Sequence, residues 1–328
     1  WFRLFHPCGH RLAAARVQVE TVPGRGGVML LGIALLVAAG TSWVVLGAVI
    51  GHAARRNIPV PSVQALSAAI MLPVSVGVLL AHPDPECAPH VRLLTMLSIF
   101  GSGFLNYFVL NLMGKAMKTG PNGIVWAMVQ SALIFPFLAG VIFFGVALTA
   151  FRLTGLAAIL TALACFGLAR DNNSTGSDWR RAALCSFLLA GINQNLSNLP
   201  SYFPEAAAGG SVSRSLSGQL GTLAAFLLMQ GRGLFTPEYR ALLRGGAVWC
   251  YAGLLAGVNL VSGYFLMYRG FNLVAEAGAG AVSYPVLVSS CMVGFALYSS
   301  VVLKEKLRLL PGLGLACALL GLVCISWS

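Results

Sequence analysis

The chain has 328 residues, of which 58% are hydrophobic and only 9% are charged, and its formal net charge is +12. Soluble domains carry roughly 25% charged residues, so a chain of this composition cannot cover a water-facing surface and must use lipid as its solvent. The basic residues lie in short gaps between apolar runs, which is the orientation signal of a membrane protein and argues against nucleic-acid binding.

Residues 1–26 precede the first apolar run and show no sustained helical or strand periodicity. We expect this segment to be a disordered tail or not to belong to the native protein, with Met29 near the true start. An arginine-rich signal peptide is the alternative. The apolar run from Val28 to Ile50 is longer than the hydrophobic region of such a peptide, which favours a first membrane-spanning helix.

Apolar runs recur along the rest of the chain. A spanning helix needs about 20 predominantly apolar residues, and the length and continuity of these runs exclude strands. The sequence predicts spans near residues 28–50, 60–81, 93–114, 121–146, 155–169, 182–200, 214–230, 246–268, 279–303 and 309–327. The predicted fold is therefore an all-α polytopic membrane protein with about ten transmembrane helices.

The connections between the predicted helices differ in charge. The odd-numbered connections hold 13 basic residues, whereas the even-numbered ones hold only Arg92, Arg152, Arg214 and Arg269. Because Lys and Arg concentrate in cytoplasmic loops, the odd-numbered connections are predicted to be cytoplasmic and both termini extracytoplasmic. The predicted location is the cell (inner) membrane, which the chain crosses many times.

An internal repeat is visible when the two halves of the chain are compared. Residues 102–156 align without a gap to residues 259–313 at an offset of 157, and Tyr107 falls on Tyr264. The boundaries of the predicted helices coincide as well.

We therefore predict a first five-helix repeat over residues 27–170 and a second over residues 180–328. Because five is odd, the second repeat enters the membrane from the opposite side. Inverted repeats of this kind build the two alternating faces of many secondary transporters around one midplane site.

Ionisable groups are scarce in the predicted spans. All nine carboxylates lie in predicted loops or at helix ends, and the five histidines lie outside the apolar runs. An intramembrane charge costs about 3 kcal/mol on insertion scales and normally marks function. This distribution argues against a membrane-embedded enzyme and against a carrier of organic cations, and it favours a neutral or zwitterionic solute. The cysteines show no metal-ligand spacing, and a disordered tail is favoured over a metal cluster of His6, Cys8 and His10. Neither a metal nor a cofactor is therefore predicted.

Uncharged polar residues are densest in the sixth predicted helix, where Asn193, Gln194 and Asn195 are consecutive. Three consecutive amides wrap most of a helical turn, so at least one is expected to face a cavity. Amides offer both donors and acceptors, which suits a hydroxyl-rich solute. Hydrogen bonding between helices is the alternative.

Aromatic residues complete the predicted site. The repeat-matched Tyr107 and Tyr264 could place aromatic faces on either side of a sugar, while packing or interfacial tyrosines are the alternative. The predicted substrate-binding residues are Trp43, Asn106, Tyr107, Gln194, Asn195, Gln219, Asn259 and Tyr264.

Two inverted units of five helices resemble the drug/metabolite transporter (DMT) superfamily of EamA-like ten-helix transporters. The stretch from Tyr284 to Leu307, followed by Pro311–Gly312 and an apolar last helix, is similar to the close of the second repeat in that superfamily. The resemblance covers residues 28–327. It implies a transporter with a small-molecule substrate, embedded in the lipid bilayer.

Three places resemble the L-rhamnose–proton symporter branch of that superfamily more weakly. They are Gly101 and Gly103 with Asn106–Tyr107, Asn195 followed by residues 204–208, and Val302–Glu305. This likeness implies sugar uptake coupled to protons. An exporter of amino acids or drug-like metabolites on the same fold is the alternative.

The last predicted helix is rich in small residues, including Gly312, Gly314 and Gly321. Small residues permit close helix contact, which would suit either a homodimer or packing within one chain.

Overall fold

The computed structural model describes residues 25–84, 87–145, 147–168, 178–203, 210–277, 279–305 and 309–326, and their regular structure is entirely helical. The predicted tail lies almost wholly outside these ranges, as does the 204–208 segment. The α-helices are α1 (Arg25–Arg55), α2 (Val60–Ala81), α3 (Pro89–Thr119), α4 (Asn122–Gln130), α5 (Ile134–Phe144), α6 (Ala150–Leu168), α7 (Asp178–Asn198), α8 (Ser211–Gln230), α9 (Pro237–Arg244), α10 (Gly246–Leu260), α11 (Tyr268–Glu276), α12 (Gly280–Val301) and α13 (Leu309–Ser326).

A helix occupies each apolar segment that the sequence singles out. A short 3-10 turn, Ser131–Leu133, joins α4 to α5, and a π-helix, Val261–Met267, joins α10 to α11. Six helices of the described ranges are long and apolar enough to cross a bilayer: Gly27–Arg55, Val60–Ala81, Pro89–Thr119, Asn122–Phe144, Gly246–Glu276 and Val282–Val301. The chain is therefore an all-helical, membrane-embedded protein.

Proline explains the break between α4 and α5. Pro136 has no N–H to donate to the carbonyl four residues earlier, and that residue, Ala132, lies in the 3-10 turn. The turn therefore redistributes backbone hydrogen bonds where the regular helical ladder cannot be completed.

The helices of the first half (residues 25–168) pack mainly against those of the second half (residues 178–326). Helix α3 contacts α7 and α8, α1 contacts α12 and the α10–α11 helix, α2 contacts α8 and α10, and α6 contacts α13. The core of the molecule therefore lies between the two halves.

Glycines allow the closest of these approaches. A Cβ atom on Gly103 of α3 would lie 1.9 Å from the carbonyl oxygen of Gly218 on α8, and one on Gly40 of α1 would lie 2.3 Å from the carbonyl oxygen of Leu287 on α12. In a membrane, where lipid tails are as apolar as side chains, such backbone contact replaces hydrophobic burial as a source of helix association.

Candidate functional site

A cavity of about 220 Å³ lies between the two halves. It is bordered by α1, α2, α3 and α4 of the first half and by α7, α8, the α10–α11 helix and α12 of the second. Among the described residues, none of the side chains that line it is charged. Its polar and aromatic lining comprises Trp43, Gln64, Ser67, Ser102, Asn106, Trp126, Gln130, Asn193, Gln194, Ser197, Ser215, Gln219, Thr222, Asn259, Ser262, Tyr268 and Tyr284.

Helices α2 and α8 present the same pattern to the cavity. The lining positions are residues 64, 67, 68 and 71 on α2 and residues 215, 218, 219 and 222 on α8. Each set follows the i, i+3, i+4, i+7 spacing of one helix face. The two helices therefore contribute matching faces from the two halves of the chain.

A polar network joins the two halves across the cavity. The Ser102 hydroxyl of α3 donates to Asn193 Oδ1 of α7 at 2.6 Å, and the Asn193 amide donates to Asn106 Oδ1 at 3.4 Å. Ser102 and Asn106 are one helical turn apart and so share a face. Asn193 is absent from the predicted set, because only the fold brings it beside α3.

Several buried polar atoms of the lining have no hydrogen-bond partner among the described residues. They are the Oε1 atoms of Gln64, Gln130 and Gln194, the hydroxyls of Ser67 and Ser215, and the Nε1 atom of Trp126. The Gln64 amide is oriented by a bond from Nε2 to the Tyr107 carbonyl oxygen at 3.3 Å, which leaves its Oε1 as an acceptor. Buried polar groups that stay unpartnered are costly, so the cavity favours a solute that can both donate and accept hydrogen bonds.

The structure brings five of the eight predicted site residues together around this cavity. They are Trp43, Asn106, Gln194, Gln219 and Asn259. Trp43 is fixed by a hydrogen bond from Nε1 to the Ser262 hydroxyl at 3.0 Å. The other three, Tyr107, Asn195 and Tyr264, are not part of the lining.

Tyr107 packs within the protein. Its side chain is only 1% exposed, and its ring makes edge contacts with Phe108 and Phe226, at centroid distances of 5.1 and 6.3 Å. Tyr107 therefore occupies a packing position, which is the alternative to a role in substrate binding.

The side chains of Tyr264 and Asn195 do not line the cavity either. The Tyr264 hydroxyl contacts that of Ser75, which in turn donates to Gln219 Oε1 at 3.3 Å, so Tyr264 supports a lining residue from behind. Asn195 donates to the Gly191 carbonyl oxygen of its own helix at 3.0 Å.

The π-helix is a feature that the sequence does not signal. It brings Ser262, Gly263 and Met267 to the cavity wall. The residues that align with it in the internal repeat, 104–110, lie in the uninterrupted α3. A π-helical turn holds more residues than an α-turn and often occurs at functional sites, and here it makes the two halves of the cavity differ.

Arg214 lies inside α8 rather than in the connection where the sequence analysis placed it. Its side chain is 2% exposed, and its guanidinium sits over the Tyr268 ring, 5.7 Å from the centroid. It also donates to Asn272 Oδ1 at 3.3 Å. A buried arginine is held by such cation–π and hydrogen-bonding contacts, and this one neighbours the lining residues Ser215 and Tyr268.

No protein-family model matches the chain, and no curated protein sequence matches it. Solved structures do match. One crystal structure of a protein shares 16% of its residues with this chain and has a TM-score of 0.57, and the alignment covers 92% of this chain and 97% of the other. At this identity the likeness concerns the fold alone.

Proposed function

We propose that the protein is a secondary transporter that carries a small neutral polar solute across the cytoplasmic membrane. A sugar is the first candidate cargo, with protons as the coupling ion. The observation that carries this proposal is the uncharged polar cavity between the two halves of a membrane-embedded chain.

The chemistry of the cavity favours such a solute. The amide oxygens and hydroxyls that have no hydrogen-bond partner among the described residues can accept hydrogen bonds from solute hydroxyl groups, and the hydroxyls can also donate to them. Trp43, Tyr268 and Tyr284 add aromatic surface to the lining, which suits the C–H groups of a sugar. A charged solute would lose its hydration without meeting an opposite charge among the lining side chains, which is costly in a buried site.

We propose further that ten helices cross the bilayer as two inverted repeats of five. The packing supports this symmetry. When each helix is replaced by the helix at the same place in the other half, each of the following contacts becomes a contact that is also present. The packing of α3 on α7 corresponds to that of the α10–α11 helix on α1, and the packing of α1 on α12 corresponds to that of α7 on α4 and α5. Contacts of α2 with α8 and of α6 with α13 map onto themselves. Two inverted halves can rock about a central site and open it to each side in turn.

The resemblance to the DMT superfamily supplies the family proposal. Its L-rhamnose–proton symporter branch makes a rhamnose-like sugar the first compound to test. Export of amino acids or drug-like metabolites by the same fold is the other outcome that the test must recognise.

A flux assay with purified protein tests the function. We expect proteoliposomes to show saturable uptake or counterflow of a labelled neutral sugar, and a pH gradient should drive its accumulation. Empty liposomes and liposomes with protein denatured by heat are the controls. Saturable flux of amino acids or drug-like compounds, with none for any sugar, would select the alternative, and the absence of any solute flux would overturn the transport proposal.

The proposed orientation predicts the side on which the C-terminus lies. Since 13 basic residues fall in the odd-numbered connections and four in the even-numbered ones, the positive-inside rule places both termini outside the cytoplasm. An alkaline phosphatase fused to the C-terminus should therefore be active. A fluorescent C-terminal fusion combined with an inactive phosphatase fusion would contradict this orientation.

A further inference from the structure

Side chains of α1, α4 and α12 pack tightly against one another beside the cavity. Trp126 of α4 lines the cavity, and its ring stacks on Phe295 of α12 with centroids 4.7 Å apart and planes 18° apart. Gly47 of α1 lies against both rings, since a Cβ atom there would be 2.6 Å from each. Helix α1 therefore approaches the stacked pair so closely that a methyl group would not fit.

A second contact lies one turn further from the cavity. A Cβ atom on Gly123 of α4 would lie 2.6 Å from the Ser299 hydroxyl of α12, and Ser299 is only 1% exposed. The two helices therefore remain in close contact from Phe295 to the end of α12.

Glu305 forms the outermost contact. Its carboxylate accepts hydrogen bonds from the backbone N–H groups of Asn122 and Gly123, both at 2.9 Å, and an ion pair from Arg55 Nη2 at 3.3 Å. These N–H groups open α4 and have no partner within the helix, and a negative charge is favoured at a helix N-terminus. Arg55 in turn donates from Nε to the Met117 carbonyl oxygen of α3 at 3.4 Å.

A sharp turn of the chain after α12 positions this carboxylate. Helix α12 ends at Val301, and Lys304 takes a left-handed conformation with φ of 52°. The Glu305 N–H bonds back to the Ser299 carbonyl oxygen at 3.0 Å. A residue with a Cβ atom rarely adopts this conformation, so the contacts of Glu305 help to hold an otherwise unfavourable turn.

We propose that Glu305 is the latch of a gate at this end of the cavity. A single side chain from the second half holds α1 and α4 of the first half, and through Arg55 also α3. In this proposal the stacked rings of Trp126 and Phe295 close the neighbouring end of the cavity. Solute can pass this end only when the latch breaks and α4 separates from α12. The inference rests on the proposed transport function and identifies the residue that controls access to its site.

The latch depends on the negative charge of Glu305. In Glu305→Gln the side chain loses the ion pair with Arg55, and one neutral carbonyl oxygen replaces the two carboxylate oxygens that accept the Asn122 and Gly123 N–H groups separately. In Lys304→Asn the neighbouring charge is removed instead, and asparagine tolerates a positive φ. The two substitutions lie in the same turn, but only Glu305→Gln removes contacts of the latch.

A cysteine reporter at position 299 measures opening without any solute. Purified Ser299→Cys protein is treated with a membrane-impermeant maleimide, and modification of residue 299 is followed by peptide mass spectrometry. We expect Glu305→Gln to speed this modification at least ~10-fold, a ratio equal to about 1.4 kcal/mol of latch free energy, and Lys304→Asn to change it by less than about twofold. Gly47→Ala should also speed it, because the methyl group separates the stacked rings while Glu305 stays intact.

Modification of Glu305→Gln as slow as that of the parent would overturn the latch, whatever the rate in Gly47→Ala and even if the parent transports a sugar. Monodisperse elution of each variant shows that faster modification reports gate opening rather than unfolding. If Glu305→Gln does not fold, Arg55→Gln provides the comparison, because it removes the ion pair with Glu305. The flux assay is judged separately, since the absence of flux in the parent overturns the transport proposal whatever the reporter shows.

Discussion

Replacing Gln194 by leucine should lower the affinity for the transported solute at least ~10-fold, which corresponds to about 1.4 kcal/mol of binding free energy. Gln194 lines the cavity, is 5% exposed, and its Oε1 has no hydrogen-bond partner among the described residues. Leucine removes both the acceptor and the donors, so a solute hydroxyl would be left unpaired in a buried site. Polar sites discriminate strongly for this reason.

The neighbouring Asn195 is the matched control. It lies on the same helix, but its amide bonds to the Gly191 carbonyl oxygen and does not line the cavity. Asn195→Leu should therefore change the affinity by less than about twofold. Both variants are measured by the ligand-dependent rise in melting temperature, titrated with the solute that the flux assay identifies. Equal losses in the two variants, or no loss in Gln194→Leu, would contradict the assignment of the cavity as the solute site.

Replacing Gly103 by alanine should destabilise the folded protein strongly, by about 1–3 kcal/mol or more as an overpacking cost. The added methyl group would lie 1.9 Å from the Gly218 carbonyl oxygen and 2.7 Å from Gly218 Cα. A backbone cannot rotate away as a side chain can, so α3 and α8 must move apart. That movement would also widen the cavity, which both helices line through these two residues.

Gly77→Ala is the control for this substitution. Gly77 lies in α2, and a Cβ atom there would meet no described atom within 4 Å. The variant should be as stable as the parent or slightly more so, because alanine favours the helix by about 1 kcal/mol over glycine. Melting temperature and monodisperse elution in detergent report both effects. A Gly103→Ala protein as stable as Gly77→Ala would show that the α3–α8 contact is looser than the structure indicates.

The positions of the helices could be predicted from the sequence because each depends mainly on local composition. A run such as 60–81 is apolar throughout, and α2 spans the same residues, Val60–Ala81. The ends were harder to place where polar residues continue the helix. Arg214 was assigned to a connection, yet α8 begins at Ser211, since contacts with Tyr268 and Asn272 make the burial of its charge tolerable.

Which residues face the cavity could be predicted only in part. The run of amides at 193–195 was recognisable, but successive residues on a helix point about 100° apart, and the sequence does not state the rotation of α7. In the structure Asn193 and Gln194 line the cavity, whereas the Asn195 side chain bonds to a backbone carbonyl of its own helix. Likewise, no feature of the local sequence predicts the π-helix that contains Tyr264.

Composition and run length by themselves determined that this protein is helical and embedded in the membrane, because every peptide group in lipid must find its partner within its own segment. The tertiary structure alone decided which polar groups meet. Glu305 and the first turn of α4 are more than 180 positions apart in the chain, and their contact depends on how α12 packs against α4. Long-range packing of this kind is a property of the whole assembly of helices, and no single segment encodes it.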